Sequence, residues 1–279
     1  MDYHRDRFPD HSLLLRDSSD KLRAIVPATI KAGRVDSHGG LSFGGLVLDR
    51  NIGATEATEA FWAVVDHLRF EGFDSFIYRP VPAIYHQQPA EEDRFALVQH
   101  QSRLIHRDLS SAIDYSQPIV YQERRRRCIR KAEQAGLVIE ETQDFGDFWE
   151  ILAENLGQKY HVKPVHTIEE IELLQRRFPR EIVLFQARRA GRVVAGVVLY
   201  LTPTVAHSQY TANNDVGRQT GSLDLLFDHL IKRFHAEGKR FFDFGVSTER
   251  DGSLNEGLVE FKESFGSRTI CFDRYEVML

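Results

Sequence analysis

The sequence predicts an α/β fold built as two related lobes, each a mixed sheet flanked by helices, and three observations carry this expectation. Strand-length apolar runs alternate with amphipathic helical patterns along most of the chain. One ordered series of parts occurs twice: a strand, a polar turn with Arg-x-x-Gly, an amphipathic helix, a Glu-Gly stop and an aromatic strand. The first copy carries Arg50 to Gly53 and Glu71-Gly72-Phe73, the second Arg218 to Gly221 and Glu237-Gly238-Lys239. Finally, 279 residues with 42% apolar and 28% charged side chains suit globular lobes of ordinary size and exclude a disordered chain.

In the first lobe, residues 13–15 and 22–28 read as strands around a turn at 17–20. Residues 41–48 read as another strand, whose glycines allow something to approach the backbone closely. A helix is expected over 55–70, with Ala57, Phe61, Val64, Val65 and Leu68 on one face. Glu56 and Glu59 suit its start, and Gly72 suits its end. Residues 73–78 follow as a strand closed by Pro80 and Pro82. An exposed loop is expected over 89–93 and a strand over 95–98. The lobes are divided as residues 1–120, the acceptor side, and 121–279.

The second lobe opens with a helix over 121–135, with Arg124 to Arg127 around its start and Cys128, Ile129, Ala132 and Ala135 on one side. A strand at 137–139 and a helix at 147–156 come next. Thr167 and Glu170 form the capping box of a helix that ends before Pro179. Residues 182–187 and 193–200 flank Arg189-Ala190-Gly191-Arg192 as a hairpin. A strand over 205–212 delivers the chain to a polar turn, 215–222. The helix after it shows Leu223, Leu226, Phe227, Leu230 and Phe234 on one face, and Gly238 ends it. Residues 240–246 read as a short, buried aromatic strand. A loop with Ser247, Glu249, Asp251 and Asn255 leads into an amphipathic piece, 257–266.

Composition excludes several classes. A net charge of −5 argues against general nucleic-acid binding, whose footprint is a basic stripe. The apolar runs fall short of a membrane span, and the polar start carries no signal-peptide core, so a cytoplasmic protein without membrane insertion is expected. Cys128 and Cys271 give neither a disulfide framework nor zinc spacing. His161 and His166 lack a third ligand, so no metal is expected.

Some residues carry chemistry by their place alone. The start of the helix after Gly221 suits an anion, because its first N–H groups lack internal partners. Asp243 lies among phenylalanines, so its carboxylate is expected to point inward and be either paired or catalytic. His207 and Tyr210, on the preceding strand, could relay a proton or simply pack. Arg124 to Arg127 read as a solvated helix face, with phosphate contact as the alternative.

The order of parts in the second lobe resembles the GNAT N-acyltransferase fold. Arg218-Gln219-Thr220-Gly221-Ser222-Leu223 resembles that family's Arg/Gln-x-x-Gly-x-Gly/Ala turn, which cradles the coenzyme A pyrophosphate; Leu223 stands where a small residue is usual. Asn255, Leu258, Phe261, Lys262 and Gly266 keep the spacing of the family's last helix. Lys262 replaces the tyrosine that in many members protonates the leaving thiolate. Asp243-Phe244-Gly245 and Phe-Lys-x-x-Phe-Gly at 261–266 resemble the Fem-like branch, whose members contain two GNAT-like lobes. The resemblance implies an N-acyltransferase that moves an acyl group from acetyl-CoA or another acyl-CoA to an amine, on a small amino-sugar or cell-envelope or polysaccharide precursor. Arg218, Gln219, Thr220, Gly221, Ser222 and Asn255 would hold the cofactor, and Asp243, Lys262, Tyr210 and His207 would be catalytic. A Fem-type enzyme drawing on aminoacyl-tRNA and an inactive binding module are the alternatives; no DNA partner is expected.

Overall fold

The computed structural model describes residues 6–279, the side chains at 159 and 160 excepted. Two compact units divide the chain. One holds the residues up to Leu109 with 250–252 and Ile270–Leu279, the other Ser110–Glu249 with Ser253–Thr269. The division therefore falls at Leu109/Ser110 rather than after residue 120, and the chain's end returns to the first unit. The cause is one continuous strand, Arg103–Asp114, that runs through the division. Its polar residues, His106 to Asp108 and the serines at 110 and 111, conceal its strand character in the sequence.

In the first unit β1 (Leu13–Arg16) and β2 (Leu22–Val26) pair antiparallel. A short hairpin of β3 (Thr29–Lys31) and β4 (Arg34–Asp36) follows, and β5 (Val47–Leu48) joins β2. Then come α1 (Ala54–Phe70), β6 (Ser75–Tyr78), α2 (Glu92–Gln99) and β7 (Arg103–Asp114). The larger sheet of this unit has the order β3-β4-β6-β13-β7, where β13 (Arg268–Met278) is the chain's last strand. α1 buries Ala57, Phe61, Val64, Val65 and Leu68, the face its periodicity predicts. Phe61, Val65 and Leu68 share a core with Val35, Phe76, Tyr78 and Val277. Each such side chain contributes roughly 1.5–3 kcal/mol on burial, which holds the helix to its sheet.

Two expected strands of this unit are something else. Only Val47 and Leu48 of the 41–48 stretch pair as a strand. Gly44 and Gly45 instead donate their N–H groups to Arg79 O at 3.1 and 2.9 Å. The backbone that approaches these glycines is thus the chain's own. Residues 95–98 lie in α2, where Ala96 and Leu97 are buried while Phe95 and Val98 face out. A four-residue apolar run has no readable period, and Glu92 and Asp93 at its start favour a helix N-terminus.

The second unit adds α3 (Glu123–Glu133), β8 (Leu137–Thr142), α4 (Gly146–Tyr160) and α5 (Ile168–Arg177). β9 (Ile182–Arg189), β10 (Arg192–Leu201) and β11 (Val205–Asn213) follow as an antiparallel run. α6 (Asp215–Thr220) and α7 (Ser222–Ala236) cross to β12 (Phe241–Val246), and α8 (Glu256–Glu263) completes the unit. The sheet order is β7-β12-β11-β10-β9-β8, with β11 and β12 its one parallel pair. The capping box is present: Glu170 N donates to Thr167 Oγ1 at 3.3 Å and Thr167 N to Glu170 Oε2 at 2.8 Å. The hairpin is present too, with positive φ at Ala190 and Gly191, the turn that matches strand twist.

Leu226, Phe227, Leu230, Ile231 and Phe234 of α7 share one core with Phe185, Val197, Leu199, Ala206, Phe242 and Phe244 of the sheet. Because strand residues alternate faces, Asp243 lies on the opposite side, away from α7. α4 covers that side, with Phe148 against Gly196 and Trp149 edge-on to Tyr210 at 5.2 Å. Among the described residues no helix is long and apolar enough to cross a membrane.

A Cβ on Gly196 would overlap the Phe148 ring. Gly196→Ala is therefore expected to destabilise the protein by about 1–3 kcal/mol, as overpacking of a filled core does. Urea unfolding of both proteins measures it, and an unchanged midpoint would show that α4 does not press on β10.

Candidate active site

The site begins with a loss of pairing. β11 and β12 run parallel for three residue pairs, Val205–Phe241, Ala206–Phe242 and His207–Asp243. Past that point β11 continues beside β10, while β12 shifts register and pairs Val246 with Ser110 of β7. Gly245 permits the bend: its φ is +79°, a region that only glycine enters freely. The strands thus part directly beyond His207 and Asp243. Backbone groups there leave the ladder and need other partners.

Asp243 is fully buried. Its Oδ1 accepts Ser110 Oγ–H and Gly245 N–H, both at 2.8 Å, and its Oδ2 accepts His207 Nδ1–H at 2.9 Å. Several donors are what a buried carboxylate requires. With Asp243 as acceptor, neutral His207 carries its proton on Nδ1, and the Nε2 lone pair is directed away from Asp243. This is the geometry of a general base oriented by a third group.

Lys262 is 4% exposed and therefore lies inside the unit rather than on the solvent face of α8. Its ammonium donates to Gly245 O at 2.6 Å, Val246 O at 2.8 Å and Ser247 Oγ at 2.8 Å. The lysine thus takes over carbonyls where β12 leaves β11. Burial pushes its pKa down to about 8, against the opposing pull of Asp243.

Tyr210 reaches the same face by an irregularity. Val198 pairs with Tyr210 but Leu199 with Ser208, so Gln209 is an extra residue in β11. Such a bulge reverses the alternation, and Tyr210 comes to share the face of His207. Its hydroxyl lies 2.6 Å from His166 Nδ1, and both side chains are buried.

The stretch expected as a polar turn is largely helical. Residues 215–220 form α6, and Gly221, with φ +70°, breaks it from α7. Asn214 Oδ1 accepts Gly217 N–H, Asn214 O accepts Arg218 N–H and Gly217 O accepts Gly221 N–H. Arg218 donates to Asn213 O at 2.8 Å and is ion-paired with Asp215 at 2.5 Å. Thr220 bonds back to Val216 O, Ser222 is buried, and Gln219 is exposed. Asp224 occupies the first turn of α7 and is ion-paired with Arg125. The N–H groups of Gly217, Arg218 and Gly221 thus have internal partners, while the start of α7 has no side-chain cap. Asn255 caps α8, accepting Leu258 N–H at 2.9 Å, while its amide donates to Glu249 at 2.5 Å.

Sequence reasoning missed Ser110, which had no motif around it, and named Ser247 only as a loop residue. It considered His166 only in setting aside a metal site, and did not foresee its contact with Tyr210. Arg125, read as one of a solvated run, stacks over Phe261 and Phe265 at 4.4 and 4.5 Å. Both thiols are free.

Comparison with known proteins adds the following. The family described as "Acetyltransferase (GNAT) domain" matches residues 121–262. No curated protein matches the chain by sequence. Among solved structures, FemX is similar at TM-score 0.69 and 11% identity, covering 98% of this chain and 88% of that one. A C-terminal domain named for a lysylphosphatidylglycerol synthetase from Agrobacterium fabrum gives TM-score 0.64 and 14% identity, over 96% and 83%. A tandem GNAT protein from the clavulanic acid biosynthesis pathway gives 0.55 and 11%, over 96% and 82%. These likenesses show a shared two-lobe GNAT-like fold.

The buried lysine has a consequence for stability. Its folded pKa of about 8 lies below the ordinary lysine value of 10.5. At pH values below both, the desolvation cost is fully present. Between them the unfolded chain keeps the proton that the folded chain releases, so stability rises with pH across that window. The unfolding free energy of wild type minus that of Lys262→Met is expected to increase from pH 8 to 10. Denaturant titrations at several pH values measure it; a difference independent of pH would show an unperturbed lysine.

Proposed function

Because the chain belongs to the GNAT acetyltransferase family, we propose that its second unit transfers an acyl group from an activated carrier to an amine, with His207 as general base. The observation that carries this reading is the fully buried Asp243 holding His207 Nδ1 at 2.9 Å where β11 and β12 part. In the proposed reaction a neutral amine attacks the carbonyl carbon and the carbon–sulfur bond of a thioester breaks. The proton leaving the nitrogen passes to His207 Nε2. The amine and carbonyl meet between the parted strands, so the protein acts first by positioning. Backbone N–H groups beside the Gln209 bulge are the proposed donors to the oxyanion. Lys262 keeps the β12 carbonyls engaged and sets a positive charge behind Asp243. Tyr210, backed by His166, is the proposed acid for the departing thiolate.

An acyl-CoA is the donor this family membership favours, with Arg218, Gln219, Thr220, Gly221, Ser222 and Asn255 on its phosphate side. The proposed acceptor is an amine on a cell-envelope or polysaccharide precursor, with the first unit on the acceptor side. A specific observation favours a second donor, an aminoacyl-tRNA. Asp224, paired with Arg125, sets a carboxylate at the first turn of α7, where a pyrophosphate would need an open helix start. α3 meanwhile presents Arg124, Arg126, Arg127 and Arg130 to solvent. Native mass spectrometry against acetyl-CoA and alanyl-tRNA separates the donors, and only tRNA binding should fall steeply with salt.

With a donor established, transfer to glucosamine and other primary amines is the assay. His207→Ala is expected to lower kcat by about 10²–10⁴ at neutral pH, partly recovered at alkaline pH where free amine is abundant. Thermal melts should remain close to wild type. Undiminished turnover in this variant would sink the assignment of His207.

A further inference from the structure

The first unit holds a cluster of like charge that the transfer chemistry leaves unused. Arg34 on β4, Arg79 directly after β6 and Arg274 on β13 line one cavity of about 340 Å³, together with Arg7, Lys31 and Asp36. Tyr275 pairs with Tyr78 on the antiparallel strands β13 and β6. One residue further along each strand, Arg274 lies within electrostatic reach of Arg79. Like charges on neighbouring strands repel, and more strongly where water is excluded.

The burial here is real. The Nε atoms of both Arg79 and Arg274 are buried and have no hydrogen-bond partner among the described residues. Arg79 Nη1 donates to Leu41 O at 2.9 Å. Arg274 is tied to no carboxylate among the described residues. Asp36, itself buried, lies 3.8 Å from Arg34, and Asp108, within electrostatic reach of Arg79, is engaged by His106 at 3.0 Å. Among the described residues that line the cavity, the cations outnumber the carboxylates, of which Asp36 is one. Burial, and after it the charge of Arg274, holds Arg79 below the usual arginine range. Buried guanidinium groups without acceptors are costly, and an oxyanion that accepts several N–H bonds at once is the ligand that relieves the cost.

We propose that this cavity binds a phosphate group, gripped by Arg79 and Arg274 with Arg34 beside them. A phosphate suits the cluster better than a carboxylate, since it brings more acceptor oxygens and more charge to several guanidinium groups. The phosphate can arrive as the free ion or as part of a phosphorylated small molecule, and the experiment has an arm for each. The proposal does not depend on the reaction assigned to the second unit.

The test is isothermal titration of the whole protein with inorganic phosphate, pyrophosphate and glucose 6-phosphate, at ionic strength held constant with chloride. Saturable one-to-one binding of at least one probe is expected, with a rise in melting temperature that chloride does not reproduce. Tighter binding of glucose 6-phosphate than of inorganic phosphate assigns the site to phosphorylated molecules; the reverse order assigns it to the free ion. Arg274→Gln should weaken binding at least about tenfold. In phosphate-free buffer it should melt no lower than wild type, because one of two opposed charges is gone. Arg34→Gln, at an exposed position, provides a second variant should Arg274→Gln fold poorly, and it too should weaken binding. Arg192→Gln, at an exposed position on β10 of the other unit, should leave binding unchanged. Absence of saturable binding for all three probes, or wild-type affinity in both cavity variants, would overturn the proposal.

Discussion

The second unit depends on a carboxylate that cannot reach water. Asp243 sits in β12 between two phenylalanines that belong to the core under α7. An ionised group in that position needs donors from every side, and it draws them from three elements. Ser110 comes from β7, the Gly245 amide from its own strand and His207 from β11. Each donor fixes something else. The serine holds β7 to β12, the amide fixes the bend that separates β12 from β11, and the histidine is locked in one orientation. A structural necessity, satisfaction of a buried carboxylate, thereby produces the arrangement on which the proposed proton abstraction rests.

Lys262 is the complement of this arrangement. Parting two strands strands their carbonyls, and the ammonium gathers Gly245 O, Val246 O and Ser247 Oγ in one place. A tyrosine at the same helical position could donate one hydrogen bond only. The lysine therefore belongs to the architecture of the opening as well as to its electrostatics.

Much of this was legible in the sequence, for local reasons. The faces of α1 and α7, the Thr167 capping box and the Ala190-Gly191 hairpin are each specified by residues a few positions apart. Asp243 was legible as inward because its neighbours are aromatic. What the sequence concealed depends on partners far along the chain. Ser110 lies 133 residues from Asp243. The Gln209 bulge moves Tyr210 to the other face, yet nothing about Gln209 announces a bulge. The turn after β11 has the composition of an anion nest, but Asn214 caps Gly217 N–H, Asp215 is paired with Arg218 and Asp224 with Arg125. Arg125 looked solvated until α8 supplied the rings it rests on. Burial of Lys262 likewise follows from where β12 bends, which no periodicity encodes.

The central claim, that Asp243 fixes His207 with its proton on Nδ1 and Nε2 as the acceptor, can be tested without knowing any substrate. Nitrogen-15 NMR of histidine-labelled protein at alkaline pH, where imidazole is neutral, distinguishes the two ring nitrogens of each tautomer. With His207 assigned by its loss in His207→Gln, the account predicts a pyrrole-type Nδ1 and a pyridine-type Nε2, and a changed tautomer balance in Asp243→Asn. A wild-type His207 that carries its proton on Nε2, or a tautomer balance indifferent to Asp243→Asn, would contradict it.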